Sequence, residues 1–336
     1  MVSLKQIAEK CGVSVASVSK ALNNHKDIGE STKERIRQTA EALGYYPNAA
    51  ARTLKTNRSY NIGVLFADAA NSGLTHDYFS AVLESFKTAA ESRGYDITFL
   101  NTHAGSRSYL ETCRQRSIDG VVIACIDFER PEVIELMTSP IPVITIDYNY
   151  PGCSSVISEN KKGMQELTDY IISCGHKHIA YIHGDENSSV TNARLEAFRT
   201  TLSAHNISVN EELILPSAYL DLAAAAECTE KLLSLPLTPS CIVYPDDTAL
   251  LGGLNVLHER GLKVPQDISI AGYDGLRASR YVSPKLTTVH QDTEQIGMQA
   301  AIQLIQQIEH VESDTPKQLL VQTNLIIGDS VSKPNA

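Results

Sequence analysis

The sequence has little that would carry it into or across a membrane. No run approaches the ~18 apolar residues that span a bilayer, and the opening MVSLKQIAEK lacks the apolar core of a secretory signal. A cytoplasmic location without a membrane partner is the expectation. The seven cysteines (Cys11, Cys113, Cys125, Cys153, Cys174, Cys228, Cys241) never form a Cys-x-x-Cys pair. Neither a disulfide framework nor a zinc site is expected, and most read as small core residues. His176-Lys177-His178 lacks a third nearby ligand, so no metal is expected there. G-x-G-x-x-G, the P-loop, the G-x-S-x-G elbow and H-E-x-x-H are all missing. A non-enzyme that needs no cofactor is the reading.

Positive charge is also scarce, with a net charge of -10 over 336 residues. The shortage is uneven. Residues 1–58 carry ten Lys/Arg against five Asp/Glu, so a basic segment precedes a strongly acidic remainder. A small basic module can hold DNA phosphates while an acidic body is repelled, which suits a reading head on a larger sensor. At 43% hydrophobic and 20% charged, the chain is long enough for two or three cores.

Leu4, Ile7, Ala8 and Cys11 fall at i, i+3, i+4 and i+7 and predict a short helix stopped by Gly12. Ser14 caps a second helix over Val15 to about Leu22, with Val18, Ala21 and Leu22 turned inward. Ser31 and Glu34 form a capping box for a third helix, with Ile36, Ala40 and Leu43 buried and Gly44 as its stop. Three short helices with a tight first turn describe a helix-turn-helix head over 1–47. Its second helix would enter the major groove. Val15, Ala16, Ser19 and Lys20 face outward: the first two suit a thymine methyl, and Lys20 suits guanine O6 and N7. Ser14, Ser17 and Asn23 suit phosphates.

Residues 48–58 form a linker, NAAARTLKTNR, with Asn48 as a helix cap and alanines behind it. About eight helical residues are unstable alone in water. The segment should fold when held by DNA and a paired copy of itself, with Asn48 and Ala51 against the duplex and Leu54 wedged between minor-groove base steps. VSLKQIAEKCGVSVASVSKALN, GYYPNAAARTL and NIGVLF together resemble the lac-repressor (LacI/GalR) family of bacterial transcriptional regulators, over essentially the whole chain. The resemblance implies that Leu54 is the minor-groove leucine and that Val15, Ala16 and Lys20 occupy operator-specificity positions.

Beyond residue 59, NIGVLFA, YDITFL, DGVVIAC, PVITID, HIAYIHG, CIVYP and ISIAGYD read as buried strands alternating with helices, the pattern of parallel α/β sheets. The family implies a two-lobed, periplasmic-binding-protein-like body over 59–336, with a ligand cleft between lobes. Three crossings are expected near 160, 288 and 320, giving one lobe from about 59–160 and 288–320 and another from about 161–287 and 321–332. Ligands bind at the carboxyl ends of parallel strands. Asp147, Asp246 and Asp274 end three of them and suit the hydroxyls of a neutral polyol. Arg194, in TNARLEAF, matches the family's effector-binding arginine. Tyr78, Phe79 and Tyr219 fall where relatives place ring-packing walls, and Gln291 lies at a crossing.

Two departures stand out: the loop ADAANSGLTHDYF is longer than the family's Asn-Pro-Phe-Phe form, and Ala197 replaces a usual Gly. The expected partners are pseudo-palindromic double-stranded operator DNA, a sugar-like effector and a second copy of the chain. With no leucine heptad after GDSV, dimers are expected rather than tetramers. The alternatives are control by a phosphorylated carrier protein or by a purine-like corepressor.

Overall fold

The computed structural model describes residues 2–22, 25, 27–45, 58–67, 73–101, 107–310 and 315–334. The chain divides into two compact units, Met1–Ser59 and Tyr60–Ala336.

In the first unit, α1 (Leu4–Cys11) opens on Ser3, whose hydroxyl accepts from the Gln6 amide while Gln6 Oε1 accepts from the Ser3 amide, and it closes at Gly12 with φ 64°. A left-handed residue there reverses the chain without a Cβ clash. The turn delivers it to α2 (Val15–Leu22), capped by Ser14 Oγ at 3.0 Å from the Ser17 amide. The third helix, α3 (Glu30–Ala42), starts earlier than the expected Ser31 box. Gly29 is its cap: its carbonyl accepts from the Thr32 and Lys33 amides, and Glu30 in the first turn pairs with Lys33 at 2.6 Å. Ile7, Ala8, Cys11, Val18, Ala21, Ile36 and Ala40 make the core, with Leu22 and Leu43 packed at its edge.

The second unit holds two six-stranded sheets. The first sheet is parallel, in the order β11-β5-β4-β3-β1-β2. Its strands are β1 (Asn61–Phe66), β2 (Asp96–Phe99), β3 (Gly120–Ala124), β4 (Val143–Ile146), β5 (Ser154–Ser158) and β11 (Gln318–Val321). The second sheet runs β12-β10-β9-β8-β6-β7, parallel except for β12 against β10. It contains β6 (Ile179–His183), β7 (Ile214–Pro216), β8 (Cys241–Val243), β9 (Ser269–Asp274), β10 (Thr287–Gln291) and β12 (Thr323–Ile326).

Each sheet is covered on both faces, which is why its strands read as apolar runs. On the first sheet, α4 (Asp77–Glu91) and α11 (Thr293–Glu309) pack on one side, and α5 (Tyr109–Gln115) and α6 (Pro131–Met137) on the other. The second sheet has α7 (Asn160–Ser173) and α8 (Ser189–Ala204) facing α9 (Leu222–Leu233) and α10 (Asp247–Glu259) across it. The chain passes between sheets at Glu159, Asp292 and Gln322. The middle passage lies beyond the expected 288, because TTVHQ continues the second sheet beside β9 and the lobe changes only where Asp292 caps α11.

All seven cysteines are free. His176 is buried, with Nδ1 2.8 Å from Ser240 Oγ and Nε2 2.7 Å from Ser332 O, which makes it a structural clamp.

Candidate functional site

Two surfaces carry the residues singled out in the sequence. On the head, Ser14, Val15, Ala16 and Lys20 are exposed along α2, while Ser17 and Ser19 are half-buried. The periodicity that buries Val18 and Ala21 places them there. Ser14 and Ser17 share a hydroxyl hydrogen bond of 2.9 Å. Lys20 Nζ lies 2.5 Å from Asp27 Oδ2. Both groups face solvent, so the pair exchanges readily for a phosphate or base edge. Asn23, Asn48, Ala51 and Leu54 lie outside the described residues.

The second surface is a buried polar cluster between the two sheets. From the first lobe, Tyr78 on α4 donates to Asp147 Oδ2 at 2.9 Å. Asp147 follows β4 at φ 58°. From the second lobe, Arg194 on α8 is 2% exposed, and its guanidinium carbon lies 3.5 Å from the Tyr273 ring centroid. Its Nε donates to Asn160 Oδ1 at 2.9 Å and its Nη1 to Pro245 O at 3.1 Å. Asp274 ends β9 at φ 93° and accepts from Gln291 Nε2 at 2.7 Å. Ser189 Oγ on α8 donates to Asp147 O at 3.3 Å, bridging the lobes directly. Tyr219 closes one side, its hydroxyl 2.8 Å from Thr191 Oγ1.

Charge in this cluster is lopsided. Burial pushes the Asp274 carboxyl up to about 7; Arg194 opposes the shift, while Asp246 and Asp147 add to it. Burial also raises Asp147 and Asp246, each partly relieved by hydrogen bonds and by Arg194. Tyr78 is held well above its usual range by burial and by Asp147. Burial opposes the charge on Arg194, but the nearby Asp274 carboxylate and the face of the Tyr273 ring favour it, and the guanidinium stays charged. Such a site offers several acceptors and one cation already half engaged, which suits hydroxyl donors better than an anion.

Two expected ligand residues are placed differently. Each Asp246 oxygen accepts from a backbone amide, Ala249 at 2.7 Å and Leu220 at 2.8 Å, so this fully buried carboxylate caps α10. Phe79 packs against Phe66 and His76, with ring centroids at 5.6 and 4.9 Å, in the first-lobe core. Asn160 and Tyr273 join the cluster without having been read from the sequence. The Asp68 and Asn71 loop lies outside the described residues.

Gly184 lies directly under Tyr219, where a Cβ would come within 2.2 Å of the ring. Gly184→Ala is expected to cost about 1–3 kcal/mol through overpacking, read as a lowered melting temperature. Combined with Tyr219→Ala, it should add almost nothing to the loss from Tyr219→Ala alone.

Known proteins share this fold. Residues 3–48 match the bacterial regulatory proteins of the lacI family, and residues 168–331 match a periplasmic binding protein-like domain. The probable HTH-type transcriptional repressor ExuR of Bacillus subtilis (strain 168) is 31% identical over 336 residues, covering 99% of both chains. The chain belongs to the LacI family. Another LacI-family relative, the HTH-type transcriptional repressor PurR of Haemophilus influenzae (strain PittEE), is 29% identical over 339 residues, covering 98% of this chain and 99% of its own. Two solved structures share the LacI-family fold. One is the lac repressor dimer bound to operator and the anti-inducer ONPF, with a TM-score of 0.81 at 23% identity, covering 98% of this chain and 99% of that one. The other is a complex of the transcriptional regulator CelR with cellobiose, with a TM-score of 0.73 at 22% identity, covering 98% and 100%.

Proposed function

We propose that this chain is a cytoplasmic transcription repressor whose grip on operator DNA is set by a sugar or sugar derivative held between its lobes, with no catalytic step. The observation that carries this reading is the buried cluster in which Tyr78 and Asp147 of one lobe face Arg194 and Asp274 of the other. A ligand there touches both lobes at once, and it shifts their balance only by its difference in affinity for the two arrangements. CelR bound to cellobiose supports a sugar in this class of cleft. Excess carboxylate favours a neutral polyol. The PurR relatives favour a second reading, a purine-like corepressor.

A second copy of the chain has a face to cover. β2 is an edge strand of the first sheet; its last residue, Phe99, is 46% exposed, and Leu74 nearby is 61% exposed. Sheet edges with exposed apolar side chains call for such cover. Two heads carried by a dimer match the two half-sites of a pseudo-palindrome.

The test begins by selecting the operator from a random DNA pool. Neutral sugars, sugar acids and purines are then screened by thermal shift, and operator affinity is measured with and without each binder. Release by a neutral sugar is expected; tightening by a purine and no sugar binding would replace this reading with the second. For the linker, Leu54→Ala is expected to weaken operator binding by at least about tenfold, as lost base-step intercalation would, while ligand affinity holds. Unchanged operator binding would remove the wedge role.

A further inference from the structure

We infer that Asn160 couples the two lobes, tying the guanidinium of Arg194 to the first lobe so that a disturbance at Arg194 is felt across the cleft. This builds on the effector site proposed above.

Asn160 opens α7 two residues after the end of β5, on the first passage between lobes. It is 4% exposed, and both ends of its amide are engaged: Oδ1 accepts from Arg194 Nε at 2.9 Å, and Nδ2 donates to Ser158 O at 3.1 Å. Its backbone oxygen accepts from the Tyr273 hydroxyl at 3.4 Å, beneath the ring on which Arg194 lies. Ser158, the last residue of β5, turns its own amide toward Asp147 Oδ1 at 3.5 Å, and Asp147 Oδ2 holds Tyr78. Tyr78, Asp147, Ser158, Asn160 and Arg194 thus form one hydrogen-bonded path from a first-lobe helix to a second-lobe helix.

A helix-capping role does not explain the residue. Asparagine is among the strongest N-caps, yet the cap of α7 is Glu159, which makes no side-chain cap bond, and the Asn160 side chain reaches Ser158 and Arg194 instead. The neighbouring passages are held too: the Glu159 amide donates to Val321 O, and Gln291 holds Asp274. Within Arg194, Nε and one Nη1 proton face inward, which leaves three of the five guanidinium N–H donors for a ligand. A ligand pulling on that outer edge moves a group whose inner edge is fixed to Asn160.

The test needs neither ligand nor DNA, so its failure is separate from failure of the effector reading. Hydrogen exchange is measured at the Ser158 amide in the full-length chain under strongly native conditions, where the amide exchanges through local opening and not through the global unfolding that loss of Arg194 also favours. Arg194→Ala is expected to speed it about tenfold when Asn160 is present and less than about twofold in an Asn160→Ala background, the mark of coupled sites. Should Arg194→Ala fail to fold, Arg194→Lys, which keeps the charge but loses Nε, takes its place in the cycle. Asn160→Asp keeps an acceptor for Arg194 but loses the donor to Ser158, and it should match Asn160→Ala at the Ser158 amide. Additive effects of the two sites, or unaltered Ser158 exchange in Asn160→Ala, would overturn the inference.

Discussion

Arg194→Ala is expected to lower the stability of the body by about 3–5 kcal/mol, the usual cost of removing one partner from a buried charge cluster, and to abolish the ligand response in the same variant. The size of the effect follows from what the guanidinium faces. It is 2% exposed, lies flat against Tyr273, and is the positive charge felt in common by Asp147, Asp246 and Asp274. Without it, the three carboxyls, two of them buried and Asp147 half-buried, lose their counter-charge and must take up protons or destabilise the fold. The loss should therefore be larger at pH 8 than at pH 5.5. Arg194→Lys should recover part of the stability but little of the response, because an ammonium cannot stack on Tyr273 while bonding Asn160 and Pro245 O. Denaturant midpoints at unchanged slope provide the measurement, and a midpoint equal to that of the native chain would contradict the charge role.

Asp274→Asn should act in the opposite direction at neutral and alkaline pH, stabilising the ligand-free chain. The Asp274 carboxyl titrates at about 7 when folded, against an ordinary value of 3.8. Between those values the folded state holds a proton that the unfolded state has lost. Stability contributed by the protonated form is full below about pH 4 and disappears as pH rises through about 7. At roughly 1.4 kcal/mol per unit, the penalty above pH 7 has an upper bound of roughly 4 kcal/mol. An asparagine cannot ionise and retains an oxygen to accept from Gln291. Melting curves should show the variant and native chains converging near pH 4 and separating by several degrees near pH 8. Parallel curves across that range would place the pH dependence elsewhere.

The parts of this molecule that were legible in its sequence are those built from local periodicity. Ile7, Ala8, Cys11, Val18 and Ala21 announced the first two helices of the head, because helical spacing and burial are the same fact at that scale. The start of α3 was harder to see, since Gly29 caps with its carbonyl while Ser31 and Glu34 offered a more familiar signature. In the body, β5 escaped notice because SSVIS is mostly serine. Ser154, Ser155 and Ser158 are nevertheless buried, and Ser154 Oγ is satisfied by Gln307 and the Lys317 amide. Within the cleft, strand ends pointed to Asp147 and Asp274, and resemblance pointed to Arg194. At Asp246 a strand-end aspartate and a helix cap look identical in sequence, and the structure shows it capping α10. Asn160 and Tyr273 carried no local signal, since their roles arise from contacts with Arg194 across long stretches of chain.

The three passages between sheets limit how this body can be taken apart. β11 belongs to the first sheet and β12 to the second, with Gln322 alone between them. Neither lobe is therefore a continuous piece of chain. A fragment ending at Gln291 would leave the first lobe without α11 and β11 and the second without β12. A single proteolytic nick at any one passage would leave the lobes tethered by the other two. No single cut therefore releases either lobe as a complete, continuous fragment.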